Sequence, residues 1–353
     1  MKFSKTVIDS HIHISASRSK EGVDFYTFFD EKQKEHGLKA INICSCPIYS
    51  DWGIENNILS ALYKLHNPTA YAYGGFFYPE KLMKTAMPQG MDFLTQYEEL
   101  LAMGFDGIKL LETKTLEQKE CNVFIDSEAY DGFFAKCEAD GTHIIWHVAD
   151  PDSFWDLNRI HPRHLAKGWY YGEGDYLAWE DIYKMVYKVL ERHPALKINF
   201  AHFFFYSEHP EWLVELFEKY ENVCIDITPG AEMYNAFRDN NSFYREFFTK
   251  YAHRITYGTD VSFPATPFNY ARTEQIYRFL TTDDELTVVD IKTRGLKLSD
   301  EVCERIFHKN FEAVAGDKPK PINVEFFRKY VDKYRNYIKK PDVIELLKAK
   351  ELW

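Results

Sequence analysis

Two histidines one residue apart, His11 and His13, end the apolar stretch "TVIDSHIH" near the start of the chain. With 13 histidines in 353 residues, such a triplet arises by chance roughly half the time, so it needs company to mean anything. On an extended strand, residues two apart share a face with Cβ atoms roughly 6.5 to 7 Å apart, and both imidazoles reach one ion. Asp9 has the same parity, one layer deeper, where a carboxylate bonds a ligand or its neighbours. Four more polar residues stand at the tails of apolar runs: Lys109 after "DGI", His147 after "HIIW", His202 after "KINFA" and Asp260 after "ITYGT". Imidazoles and a carboxylate brought to one place are the donor set of a zinc-class cation.

The elements that must position them are strand-like runs rich in Val, Ile and aromatics, at 6–13, 40–47, 71–79, 105–112, 143–150, 197–204, 223–229 and 255–262. Between them lie helix signals: "NNILSALYKLHNP" ends before proline, "MDFLTQYEELLAMG" ends in glycine, and "WEDIYKMVYKVLERHP" runs from acidic to basic. Eight alternations predict an α/β fold, a (β/α)8 TIM barrel of parallel strands with right-handed crossovers. No glycine-rich phosphate loop follows the first strand, as an open doubly wound sheet would have. Beyond residue 263 the chain reads as helical. We expect a single domain over 1–353, with the barrel at about 5–282 and appended C-terminal helices at about 299–353. In such a barrel the chemistry belongs at the C-terminal ends of the strands. His11, His13, Lys109, His147, His202 and Asp260 all fall there, which makes the two histidines the first ligands of a site completed by later strands.

Charged residues make up 27% and hydrophobic residues 45%, an ordinary globular composition. A formal charge of -11 argues against nucleic-acid or anionic-membrane partners, which require concentrated Lys and Arg. No run matches a membrane span, and the opening "MKFSKTVIDS" lacks the apolar centre of a signal peptide, so a cytoplasmic location is expected. The six cysteines lack CxxC pairing and are read as reduced thiols, Cys44 and Cys46 included.

The motifs "VIDSHIH", "GIKL", "WHVADP", "NFAHFF", "ITYGTDVSFP" and, more weakly, "ERIFHKNFEAV" together resemble the amidohydrolase superfamily, in its amidohydrolase-2 branch of decarboxylase-like metal-dependent enzymes. The resemblance runs from residue 7 to about 314. It implies that His11, His13, His147 and Asp260 bind a divalent metal, commonly zinc, as one or two ions, with His202 as a catalytic or ligand-supporting histidine. In binuclear relatives a lysine at the end of strand four is carboxylated and bridges two metals, with the two later histidines on the second ion, roles that would fall to Lys109 and to His147 and His202. The other reading of Lys109 is an ammonium that meets an anionic substrate or pairs with an acid. Relatives often have glycine after the strand-six histidine, where this chain has "AHFFFY", and an altered pocket shape is expected.

Such an ion lowers the pKa of water toward about 7. Asp260 then serves as ligand and proton carrier, while His202 orients the water or polarises a carbonyl. Hydrolysis of an amide, lactone or ester of a small organic acid is the leading expectation. Decarboxylation or hydration of an aromatic or muconate-like acid is the alternative, and a metal-free binding barrel would require a broken ligand set. The connection from 151 to 179 is long. It is read as a lid in which Arg163 or His164 meets an anionic group while Trp155, Trp169, Tyr170 and Tyr171 line an apolar pocket, or else as a contact between copies in a homo-oligomer.

Overall fold

The computed structural model describes residues 1–15, 24–49, 51–79, 87–230 and 232–353. Nine parallel strands follow one another around the sheet: β1 (Ile8–Ile14), β2 (Ala40–Cys44), β3 (Tyr71–Gly74), β4 (Gly107–Thr113), β5 (His143–Val148), β6 (Lys197–Phe200), β7 (Val223–Asp226), β8 (Ile255–Thr256) and β9 (Val261–Phe263). β8 pairs with β7, and β9 pairs with β1. The predicted eighth strand is therefore divided by the turn at residues 257–260, and its two halves close the TIM barrel. Ser10 N–H donates to Tyr257 O at 3.1 Å and Asp260 N–H donates to His11 O at 2.9 Å across that seam.

The helices expected between strands form with their predicted punctuation. Phe93–Met103 stops at Gly104 (φ 105°), whose missing Cβ permits the left-handed cap, and Trp179–Arg192 stops one residue before Pro194. The apolar core lies chiefly between sheet and helices. A smaller cluster of Ile8, Ala40, Tyr71, Tyr73, Ile145 and Phe311 fills the opposite end of the barrel from the strand tails. Phe311, from the "ERIFHKNFEAV" segment, packs its ring 5.1 Å from Tyr71, so that motif serves as a plug.

Two expectations need correction. The region after residue 263 is not wholly helical: Glu285–Val288 and Ile291–Arg294 form an antiparallel hairpin between the helix Pro267–Thr281 and the C-terminal helices. Asp9 does not share the row of His11 and His13. The register of β1 slips between Asp9 and Ile12, and the Asp9 carboxylate pairs instead with Lys32 Nζ at 3.3 Å and the Thr259 hydroxyl at 2.6 Å. Among the described residues, no helix is long and apolar enough to cross a membrane.

Candidate active site

The C-terminal ends of the strands surround a cavity of about 960 Å³ whose floor includes His11, His13, Lys109, His147, His202 and Asp260. The six residues singled out by their strand-tail positions thus line one space. His11 and His13 stand with ring centroids 4.9 Å apart, His11 and His202 at 5.8 Å, and His202 and His147 at 4.7 Å. The four imidazoles form a continuous row.

Each ring has one nitrogen fixed from behind. His11 Nδ1–H donates to Asp226 Oδ2 at 2.8 Å, and His13 Nδ1–H to Cys44 O at 2.7 Å. His147 Nε2–H donates to Ala149 O at 3.0 Å, and His202 Nδ1–H to Thr228 O at 3.3 Å. The acceptors are carboxylate or carbonyl oxygens, so they set the tautomers. The remaining nitrogens of His11, His147 and His202 carry lone pairs, as does that of His13 once a cation takes the place of its proton. Burial holds His11 down to about 3, with Lys109 adding to the effect, and burial likewise keeps His147 and His202 neutral.

His11, His13 and Asp260 offer ligand atoms all within 4.8 Å of one another. His13 Nε2 lies 3.1 Å from Asp260 Oδ1, a meeting of two acceptors that only a proton or a cation makes favourable. Burial pushes His13 down, yet Cys46 and Asp260 outweigh it and lift the ring to about 10, so a proton fills this role when no cation does. The donor set suits zinc. His147, the fourth expected ligand, lies outside this trio. Its Nδ1 faces His202 Nε2 at 3.1 Å, again lone pair to lone pair. Lys109 Nζ sits 3.1 Å from His11 Nε2, the very nitrogen a cation would use.

The backbone is shaped for this convergence. A Cβ on Gly258 would fall 2.9 Å from His11 Cβ and 2.8 Å from Thr228 Cγ2, so glycine there lets the strand-eight turn approach the first histidine. Asp260 then takes a left-handed φ of 54°, and Arg272 Nη1 lies 3.3 Å from both its backbone O and its Oδ2. Asp226 and Arg272 are the functional residues the sequence reading missed. Asp226 had an available signal, since it ends β7 as His147 stands near the end of β5 and His202 just after β6. Arg272 lies a turn inside the helix Pro267–Thr281, and nothing local marks it.

The connection after β5 hangs over the cavity, but only part of it faces inward. Arg163 and His164 line the space, and Arg163 Nη1 lies 3.5 Å from Asp290 Oδ2 on the hairpin tip. Trp155 and Tyr170 are not among the lining residues. They pack with Phe154, Ile160 and Tyr171 into a small core of the segment itself, and Trp155 Nε1–H donates to Leu177 O at 2.9 Å. Such a long loop retains its shape by burying its own aromatics, which is why the four predicted rings do not all reach the cavity. Trp169 does line it, and Tyr171 is in the small core.

A sequence model of the amidohydrolase family, amidohydrolase-2 branch, matches residues 81–314. No curated protein is matched. Among solved structures, an uncharacterized TIM-barrel protein from Bordetella bronchiseptica is 15% identical, covering 88% of this chain and 100% of its own with a TM-score of 0.56. A 2,6-dihydroxybenzoate decarboxylase from Rhizobium is 13% identical (89% and 99% covered, TM-score 0.54), and a putative 2-pyrone-4,6-dicarboxylic acid hydrolase from Pseudomonas putida is 14% identical (88% and 97%, TM-score 0.53). At these identities the structures show a shared fold. The family match spans more than half of the chain, and with it the protein belongs to the amidohydrolase family of metal-dependent enzymes.

Proposed function

We propose that the protein is a metal-dependent hydrolase that adds water to an amide, lactone or ester of a small organic acid. The observation that carries this reading is the trio of His11, His13 and Asp260, with ligand atoms within 4.8 Å and the back nitrogens of both rings already engaged. Those three residues would hold the ion, zinc by its donor set, and His147 and His202 stand beside it as further donors. When bound, the cation supplies Lewis acidity and lowers the pKa of water toward about 7.

The chain's own residues do the rest. His202 keeps its Nδ1 proton on Thr228, so its Nε2 accepts rather than donates. This tautomer suits orienting an attacking water and does not suit polarising a carbonyl. Asp260 Oδ2 takes the proton of the attacking water as its oxygen bonds to the carbonyl carbon, and returns it to the leaving nitrogen or oxygen as that bond breaks. Arg272 steadies the carboxylate between the two transfers. Arg163 and His164 meet the substrate from the lid side. Lys109 meets an anionic group of the substrate once an ion occupies His11 Nε2 or, if carboxylated, would help to hold a second ion. The absence of any disulfide among the six cysteines supports a cytosolic location.

A second reading, non-oxidative decarboxylation of an aromatic acid, draws on the flat walls beside the trio: Trp52 stands 6.0 Å from the His13 ring, and Phe205 stacks on His202 at 5.2 Å. One experiment separates the two. Elemental analysis of the purified protein should give at least one divalent ion per chain. The same protein is then assayed for acid release from lactones, esters and amides, and for carbon dioxide from hydroxylated aromatic acids. Acid release supports hydrolysis, carbon dioxide supports the second reading, and protein carrying no metal removes both.

A further inference from the structure

We infer that Arg272 is the seat of a carboxylate on the substrate, placed beside the reacting bond; this rests on the metal-dependent reading above. A guanidinium carries five N–H donors in a fixed planar fork. Arg272 spends only Nη1 on Asp260, at 3.3 Å to each oxygen, a long and single-nitrogen contact rather than the paired geometry of a structural ion pair. Its Nε is enclosed and has no hydrogen-bond partner, and its Nη2 takes none among the described residues. An unanswered charged donor is costly, and it is retained where a ligand completes it. The side chain lines the cavity next to His13 and Asp260, with the Phe268 ring 5.8 Å from the guanidinium carbon.

Charge points the same way. At the cavity floor Lys109 and Arg272 face Asp260 and Asp150, with Asp226 behind His11, and Lys109 has no carboxylate within ion-pair distance among the described residues. A divalent cation added to these two cations and three carboxylates leaves one positive charge uncompensated in a buried place. An anionic substrate group supplies the missing charge, and a planar carboxylate matches the guanidinium fork. Of the other cavity cations, Lys114 holds Glu117 at 2.9 Å, Arg163 leans on Asp290 at the outer rim and Lys167 lies over the Trp169 ring, while Lys109 offers a point charge without the planar fork.

The test compares salicylate with salicylamide, which share ring and hydroxyl and differ in charge, by calorimetric titration of metal-loaded protein with its metal content measured alongside. The wild type should bind salicylate at least about tenfold more tightly. R272Q should retain its metal and lose that preference; R272K should keep part of it, having the charge without the fork. A metal-loaded R272Q that keeps the wild-type preference overturns the inference, as does a wild type with no preference. Where R272Q comes without metal, R272K decides: a preference reduced about threefold or more supports the seat, and an undiminished one shows that Arg272 only positions Asp260. A wild type that takes up no metal overturns the metal-dependent reading itself, so the two failures are told apart by the metal analysis.

Discussion

Replacing Asp226 with asparagine should strip the cation site while leaving every proposed ligand in place. The carboxylate is fully buried and takes five donors. On Oδ2 are His11 Nδ1–H at 2.8 Å and Asn199 Nδ2–H at 3.3 Å; on Oδ1 are the backbone N–H groups of His202 (2.8 Å) and Thr228 (3.0 Å) and the Thr228 hydroxyl. Burial alone would raise this carboxyl, but His11 and the other donors carry it down to about 2. Asparagine has one acceptor oxygen. It turns that oxygen toward the Oδ1 side, where two donors are backbone groups that cannot rotate away, and its amide nitrogen then faces His11. His11 answers by moving its proton to Nε2, the only ring nitrogen left for a cation. Metal affinity should fall by about 100-fold, the upper end for losing a partner of a ligating histidine. Two charge-assisted bonds go as well, roughly 3–5 kcal/mol. With an unfolding entropy of about 2.1 cal/mol/K per residue over 353 residues, that lowers the melting temperature by about 4–7 °C. Chelator competition and calorimetry measure the two effects. A D226N protein that holds metal within about threefold of wild type and melts within about 1 °C of it would refute the assignment of His11's tautomer, and with it the cation site.

Two further outcomes follow from groups away from the trio. Burial pushes Glu112 up to about 7, against the hydrogen bond it accepts from Leu111 N–H at 2.7 Å. The folded state keeps a proton that the unfolded chain gives up above about pH 4.5, so this group's contribution to stability is fully present below that pH and declines by about 3 kcal/mol as pH rises to 7. E112Q stays neutral and should gain on the wild type between pH 5 and 8 in urea unfolding; parallel curves would contradict the buried acid. Arg163→Ala should raise KM for an anionic substrate and leave the melting temperature unchanged, because its partner Asp290 is exposed and such pairs contribute about 0–1 kcal/mol. An unchanged KM removes Arg163 from the substrate's path.

What could be read in the sequence was whatever depends on short-range periodicity. His11 and His13 share a face because strand parity is local, and the tails of β5 and β6 end in histidine in plain view. Asp9 escaped because a register slip of β1 is decided by its neighbours across the sheet. Arg272 reaches Asp260 only because the helix Pro267–Thr281 begins where it does, which places residues twelve apart side by side. Composition could not tell whether Trp155 and Tyr170 would face the cavity or the loop's own small core. The hairpin "ELTVVDIKTR" is short and largely polar, and its turn residues Val289 and Asp290 have left-handed φ values of 51° and 68° without a glycine to announce them.

The same concealment explains the run "AHFFFY". His202, Phe203, Phe204 and Phe205 all have φ between 53° and 58°, a left-handed turn built without glycine at a strain of about 1–2 kcal/mol per residue. With Ala149 and Asp260, they make six of the eleven non-glycine residues of positive φ among the described residues, all six at the exits of β5, β6 and β8. Glycine after His202 would relax the turn and anchor nothing. Phenylalanine instead supplies burial worth about 2–3 kcal/mol per ring: Phe203 packs into Phe237 and Phe248, and Phe204 stacks on Phe200 at 4.0 Å. Three buried rings offset the strain of the four residues, so the turn holds His202 against Asp226 and Thr228 before any ligand arrives. Two of the three rings point away from the cavity, and only Phe205 enters it, against His147 and His202. The altered pocket shape expected from this run is therefore a narrowing of one wall, and the same rings stiffen the histidine behind it.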